Sequence, residues 1–202
     1  YGGSFNPPHL GHVRAAQACK RALGLDRVLV IPASIPPHKQ MASGSATAME
    51  RLRLTQLAFS RLPGFEVLDM ELRREGKSYT VDTIRALKEQ YKQSDLYLMM
   101  GTDMFLSFQD WYRPEEIAKN ARLVCFSRYD ADAKNRESLL KQADTLKAKF
   151  GERPVLLEND CFDISSTEAR RLLRFKIAAP YLPEAVLREI EAEGLYGVGE
   201  ND

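Results

Sequence analysis

Residues 2–12 read GGSFNPPHLGH, and the reading of this stretch decides the fold. It holds three of the chain's twelve glycines, two of its ten prolines and two of its three histidines. Gly2 and Gly3 permit a tight turn and let backbone N–H groups approach a ligand closely. Pro7 and Pro8 stiffen the path into residues 10–23, which read as a helix. A helix beginning near His9 puts His9 and His12 one turn apart on one face. Both then lie beside the exposed N–H groups and the positive dipole end of the first turn, a natural phosphate site. Gly11 between them leaves room for a bulky ligand. Tyr1-Gly2-Gly3 reads as the end of a strand whose earlier residues are absent from this sequence.

Moving outward, short apolar runs alternate with helical patterns. RVLVIPA (27–33), FEVLDMEL (65–72), DLYLMMG (95–101), ARLVCFS (121–127) and PVLLEND (154–160) read as strands buried on both faces. Helices are predicted over 10–23, 47–61, 80–92 and 136–150. Two more close the chain, SSTEARRLLR and PEAVLREIEAEGL, the latter with Pro183 near its start and Gly194 at its end. Such alternation implies a doubly wound, mostly parallel sheet with helices on both faces, in one α/β domain over residues 1–202. In such a sheet the first motif lies at the carboxyl end of a central strand, where ligands bind.

The bulk composition narrows the functional classes. The formal charge is +1, which provides no field for holding nucleic acid or an acidic membrane. No apolar run reaches the ~18–20 residues of a membrane span, and the first residues of this sequence do not read as a charged-then-apolar signal peptide. Cys19, Cys125 and Cys161 are widely spaced, which fits reduced thiols in the cytoplasm. One long connection, residues 32–46, carries three prolines together with His38 and Lys39. A loop of this length in a compact domain is usually functional or mobile.

The residues alone leave rival readings open. GGSFNPPHLGH could be a plain Gly-Pro turn whose histidines cap or pack, and H-x-x-H could be half of a metal site, although no further Cys/His cluster would complete it. DISSTEARRLL (163–173) could be a capping box, Ser165-x-x-Glu168. Yet Ser166 and Arg170 stand at i and i+4 near a helix N-terminus, where hydroxyl, guanidinium and N–H groups could converge on one anion. Trp111-Tyr112 could be an ordinary aromatic pair, Ser78-Tyr79-Thr80 a cap, and Asp103 an N-cap.

The first stretch resembles the H-x-G-H signature of the nucleotidyltransferase superfamily, G-G-[ST]-F-D-P-x-H-x-G-H, departing from it at Asn6. Residues 164–170 are similar to its second signature, I-S-S-T-x-x-R, matching at Ile164, Ser165, Ser166, Thr167 and Arg170. GKSYTVDTI (76–84) and GTDMFLSFQDWYRPEEI (101–117) resemble the bacterial nicotinate mononucleotide adenylyltransferases in particular, so the likeness covers nearly the whole chain. The resemblance implies a Rossmann-like nucleotidyltransferase fold ending in helices at 164–195, and transfer of an adenylyl group from ATP to nicotinate mononucleotide. It implies catalytic roles for His12, His9 and Arg170. Gly2, Gly3, Ser4, Phe5, Gly11, Gly101, Asp103, Ile164, Ser165, Ser166 and Thr167 would then line the ATP site. Lys39, His38, Tyr79, Thr80, Trp111, Tyr112 and Arg128 would bind the mononucleotide. Mg²⁺ is expected to arrive with ATP, without a carboxylate cage of its own.

Pantetheine-phosphate adenylyltransferases and cytidylyltransferases share the first signature but not the KSYTVDTI and WYRPEEI segments. A class I aminoacyl-tRNA synthetase fragment would need a K-M-S-K-S loop that this sequence lacks. A catalytically silent nucleotide sensor would be expected to have lost a histidine or Arg170.

Overall fold

The computed structural model describes residues 1–37, 41–127, 133–158 and 164–198. Strands β1 (Gly2–Gly3), β2 (Val28–Pro32) and β3 (Phe65–Val67) form one parallel ladder in the order β1-β2-β3. Strands β4 (Tyr97–Gly101), β5 (Arg122–Ser127) and β6 (Val155–Glu158) form a second, β4-β5-β6. Every pairing is parallel, Gly3 opposite Pro32 and Gly101 opposite Phe126 among them. Helices α1 (Leu10–Ala22), α2 (Ala48–Phe59), α3 (Thr80–Gln90), α4 (Thr102–Leu106), α5 (Pro114–Asn120) and α6 (Ala133–Phe150) fill the crossovers. Helices α7 (Ser166–Arg174) and α8 (Glu184–Ala192) follow the last strand.

Strand alternation builds a core on each face of the second ladder. Met99 and Val124 join Val13, Ala16, Leu54, Phe59, Leu173 and Ile190 in one apolar cluster. The intervening Leu98, Met100, Leu123 and Cys125 join Val81, Phe105, Ile117 and Leu146 in the other. Because β2 and β4 residues meet α1, α2, α7 and α8 in the first cluster, both ladders are anchored to one apolar mass. This is the doubly wound α/β architecture expected from the sequence.

Two segments differ from expectation. The strand predicted over 65–72 ends at Val67, apart from one further ladder bond, Leu68 N–H to the Val30 carbonyl at 2.9 Å. Asp69 then turns the chain, its carbonyl accepting from the N–H groups of Leu72 and Arg73. Helix α4 was not foreseen; at five residues it is too short to display a 3.6-residue period. Among the described residues, no helix is long and apolar enough to cross a membrane.

Candidate active site

Strands β1 and β4 border a cleft of about 1320 Å³ that runs along the strands, from Val28 and Leu96 near their amino ends to Ser4, Gly101 and Asp103 at their carboxyl ends. No backbone pairing joins these two strands among the described residues. This is the topological switch point of the fold, where the crossovers reverse direction and ligands bind.

The first motif enters the cleft as a tightly packed turn. The Phe5 ring is 1 % exposed and stands edge-on to Tyr1, His12 and Phe59. A Cβ at Gly3 would stand 3.1 Å from the buried Phe5 ring, which would have to give by a few tenths of an ångström to admit it. Phe5 itself adopts the left-handed region, φ 44°, a strained setting that clusters at functional turns. Its ring belongs to the core and lies outside the cleft lining, so the expectation that Phe5 meets ATP is left to its backbone.

Helix α1 begins with a reciprocal cap made of the two histidines. His9 is the N-cap, and its Nδ1 accepts from the His12 N–H at 3.3 Å. His12 Nδ1 accepts in return from the His9 N–H at 3.2 Å. The rings stack with centroids 3.6 Å apart and an interplanar angle of 23°. A capping box ordinarily uses Ser or Thr with Glu or Gln; here imidazoles do the same work. The consequence is chemical, because an accepting Nδ1 assigns the ring proton of each neutral histidine to Nε2. Both residues line the cleft.

Helix α7 brings the second signature to the same cleft. Ser165 is its N-cap, accepting from the Glu168 N–H at 3.1 Å. The predicted capping box is only half formed, for the Glu168 carboxylate turns to Arg171. Ser166 Oγ donates to the Pro7 carbonyl at 3.1 Å, and Arg170 Nη1 donates to the Asn6 carbonyl at 2.6 Å. Arg170 also reaches Thr167 Oγ1 at 3.3 Å. The two signatures, about 160 residues apart, are therefore hydrogen-bonded to one another. Ile164, Ser165, Ser166 and Thr167 line the cleft, whereas Arg170 sits behind them against the first turn.

Across the cleft, Gly101 is the N-cap of α4, so Asp103 is not the cap but an exposed carboxylate on the first turn. Both residues line the cleft, as do Gly2, Ser4, Gly11, Thr80 and Trp111. Tyr79 is the N-cap of α3 without a side-chain cap bond. The Ser78 hydroxyl is instead engaged by the Ser34 N–H at 2.9 Å. Tyr79 and Tyr112 lie outside the lining and pack on each other, ring centroids 4.8 Å apart, with Arg113 over Tyr112. Trp111 packs on Phe108 at 5.3 Å. His38, Lys39 and Arg128 lie outside the described residues.

Two groups at the site were missed in the sequence. Glu71 is a buried carboxyl on the cleft wall that accepts from Thr83 Oγ1 at 2.6 Å, with Arg74 beside it. Burial pushes its carboxyl above the usual carboxylate range, against the hydrogen bond from Thr83. Arg51, on α2, is 1 % exposed and is not singled out by the sequence reading. Its place on the stripe 51–54–55–58 was the available signal.

Among the described residues, no group of three or more His, Cys, Asp or Glu side chains could hold a metal ion. The donors that converge here, backbone N–H groups, hydroxyls and imidazoles, suit phosphate oxygens rather than a bare cation.

Residues 1–172 match the model of the cytidylyltransferase-like family. The chain is 39% identical over 207 residues to the "Probable nicotinate-nucleotide adenylyltransferase" of Geobacter sulfurreducens, covering 96% of this chain and 95% of that one. It is 36% identical to the protein of the same name from Salinibacter ruber, over 97% and 95% of the two chains. Among solved structures, the nicotinic acid mononucleotide adenylyltransferase of Plasmodium falciparum, complexed with NaAD, superposes with a TM-score of 0.77. That match is at 19% identity and covers 100% of this chain and 97% of the other.

Proposed function

The chain belongs to the cytidylyltransferase-like family, and on that premise we propose that it transfers the adenylyl group of ATP to nicotinate mononucleotide. The products are nicotinate adenine dinucleotide and pyrophosphate, a step of NAD biosynthesis. The observation that carries this reading is the cleft itself, onto which the first turns of α1 and α7 both open, each bearing its own signature. Two helix N-termini on one cleft favour a polyanion.

The nucleophile is the mononucleotide phosphate, largely dianionic at pH 7 because its second pKa is about 6. It attacks the α-phosphorus of ATP in line, a P–O bond forms, and the bond to the bridging oxygen of the leaving pyrophosphate breaks. No side chain has to remove a proton. Catalysis is therefore positioning and stabilisation of charge on the non-bridging oxygens. His12 Nε2–H donates to the α-phosphate, with His9 beside it; the cap holds both rings in the tautomer that can do so. Ser166, Thr167 and the α7 N–H groups hold the β- and γ-phosphates. Arg170 acts there and through its grip on Asn6. Mg²⁺ arriving with ATP would supply charge neutralisation, and no carboxylate of this chain is assigned to hold it.

Asp103 accepts from ribose hydroxyls. The pyridine ring lies against Trp111, and Thr80 with the Tyr112 segment reads its carboxylate. Lys39, His38 and Arg128 serve the mononucleotide phosphate. We further read residues 1–202 as one nucleotidyltransferase domain working in the cytoplasm, where the buried thiols of Cys19 and Cys125 stay reduced. With a formal charge of +1 it has no field for nucleic acid.

The test is isotopic. With ATP labelled at the α-phosphorus, the label is expected in the dinucleotide; with ATP labelled at the γ-phosphorus, in pyrophosphate. Label from the γ position in the acceptor would mean phosphoryl transfer and would overturn the reading.

A further inference from the structure

We infer that Arg51 is a positioning residue that locks the ATP half of the cleft to the mononucleotide half. This rests on the adenylyl-transfer reading above. Arg51 is the largest fully buried side chain among the described residues. Its Nη1 donates to the carbonyls of Ser4 and Ala33, each at 2.7 Å, and Nη2 donates to the Ser34 carbonyl at 2.9 Å. Among the described residues the guanidinium's hydrogen-bond partners are these three carbonyls, and the group that acts electrostatically on its charge is the buried phenol of Tyr196. Burial accordingly lowers the guanidinium's proton affinity. A buried charge with only carbonyl partners is costly, so its placement calls for a return elsewhere in the molecule.

That return is geometric. Ser4 directly follows β1, and Ala33 and Ser34 directly follow β2. The ladder between those strands ends with the Ala33 N–H bonded to the Gly3 carbonyl at 2.9 Å. Beyond that bond the two chains part, one toward His9 and the other into the 32–46 loop. The Arg51 fork bridges them at the point of divergence, which a single ladder bond could not do. Ser34 is gripped from its other side as well, its N–H bonded to Ser78 Oγ at 2.9 Å. The Ser78 N–H in turn reaches the Ile35 carbonyl at 2.9 Å, one residue before Tyr79-Thr80. A continuous chain of bonds thus runs from the first motif through Arg51 and Ser34 to the segment assigned to the pyridine. It sets the separation between attacking phosphate and α-phosphorus, a quantity to which rate is steeply sensitive.

The test is Arg51→Lys, which keeps the charge but cannot bridge three carbonyls at once. Dinucleotide formation and calorimetric binding of each substrate are measured together, with Arg53→Lys, an exposed residue on the same helix, as control. Arg51→Lys is expected to bind ATP and nicotinate mononucleotide at full stoichiometry, with Kd within about threefold of wild type. Its kcat is expected to fall by about 100-fold, the cost of a misplacement on the order of 1 Å. A kcat within threefold of wild type, or a loss matched by lost binding stoichiometry, would overturn the proposal. Should Arg51→Lys fail to fold, Ser78→Ala decides: a kcat-specific loss at full stoichiometry supports the chain of bonds, and an unchanged kcat refutes it. A wild-type chain that makes no dinucleotide refutes the reaction and the proposal together. An active wild type with an equally active Arg51→Lys refutes the proposal alone.

Discussion

Substituting His12 separates the cap that its imidazole makes from the phosphate contact proposed for it. Nδ1 accepts the His9 N–H at 3.2 Å and so completes the cap, while Nε2 carries the proton that the proposed mechanism directs to the α-phosphate. In asparagine, Oδ1 takes the place of Nδ1 and nothing replaces Nε2. In glutamine, Nε2 takes the place of the imidazole Nε2 and the accepting atom is lost. Removing one preorganised donor to a developing oxyanion costs roughly 10²–10³ in kcat, about 2.7–4 kcal/mol. Stranding the His9 N–H, in a residue only 5 % exposed, costs about 1–3 kcal/mol of stability. For a chain of this size each kcal/mol lowers Tm by roughly 2–4 °C. His12→Asn is therefore expected to melt near the wild-type temperature yet lose two to three decades of kcat. His12→Gln is expected to melt roughly 2–12 °C lower and keep more of its activity. Pyrophosphate release and circular dichroism on the same preparations supply both readouts. A fully active His12→Asn, or a His12→Gln with normal Tm and no activity, would refute the assignment of roles to the two nitrogens.

Arg170→Ala removes the proposed charge-assisted contact to the β- and γ-phosphates, worth about 1.5–3 kcal/mol; KM for ATP should rise roughly 10- to 150-fold with little change for the mononucleotide, and the reverse pattern would contradict the ATP-side role. Trp111→Ala deletes a stacking face worth about 0.5–1.5 kcal/mol, so KM for the mononucleotide should rise roughly 2- to 10-fold while KM for ATP holds. Glu71 gives a pH test of stability. Its folded carboxyl is raised above the ordinary value of 4.5, chiefly by burial, so the native state keeps a proton that the unfolded chain has released. Stability conferred by the neutral form is therefore lost as pH climbs from 4.5 through the raised value. In urea titrations across that range, Glu71→Gln should gain on wild type as pH rises; a constant difference would refute the burial argument.

What could be read from the sequence was what repeats or punctuates. VLVIP and YLMMG are strands because continuous apolar runs suit a sheet covered on both faces. Residues 10–23 and 47–61 contained α1 and α2 to within two residues at each end, because Pro7-Pro8 lead into the first and Thr47 with Glu50 caps the second. The site's general place followed from the same signals, since a glycine turn between strand and helix N-terminus can lie only at the carboxyl edge of the sheet. What escaped depends on three-dimensional packing. The histidine pair caps α1 through ring orientation, which spacing alone does not reveal. Ser78 looked like a helix cap, but its hydroxyl serves Ser34, a residue 44 positions away. Arg51 carries a charge on a helix with others, Glu50 and Arg53, so its burial among carbonyls was hidden by composition. Phe5 was read with the ligand and belongs to the core, because the turn that brings Gly3 to the cleft folds the aromatic ring inward.

The most direct test of the account is pyrophosphate release from ATP and Mg²⁺ with three acceptors offered separately: nicotinate mononucleotide, nicotinamide mononucleotide and phosphopantetheine. Rapid release with nicotinate mononucleotide, and little with phosphopantetheine, is the predicted result. Release with phosphopantetheine alone would contradict the roles of Thr80, Trp111 and Tyr112 while leaving the phosphate chemistry standing, and ATP binding without release from any acceptor would contradict adenylyl transfer itself.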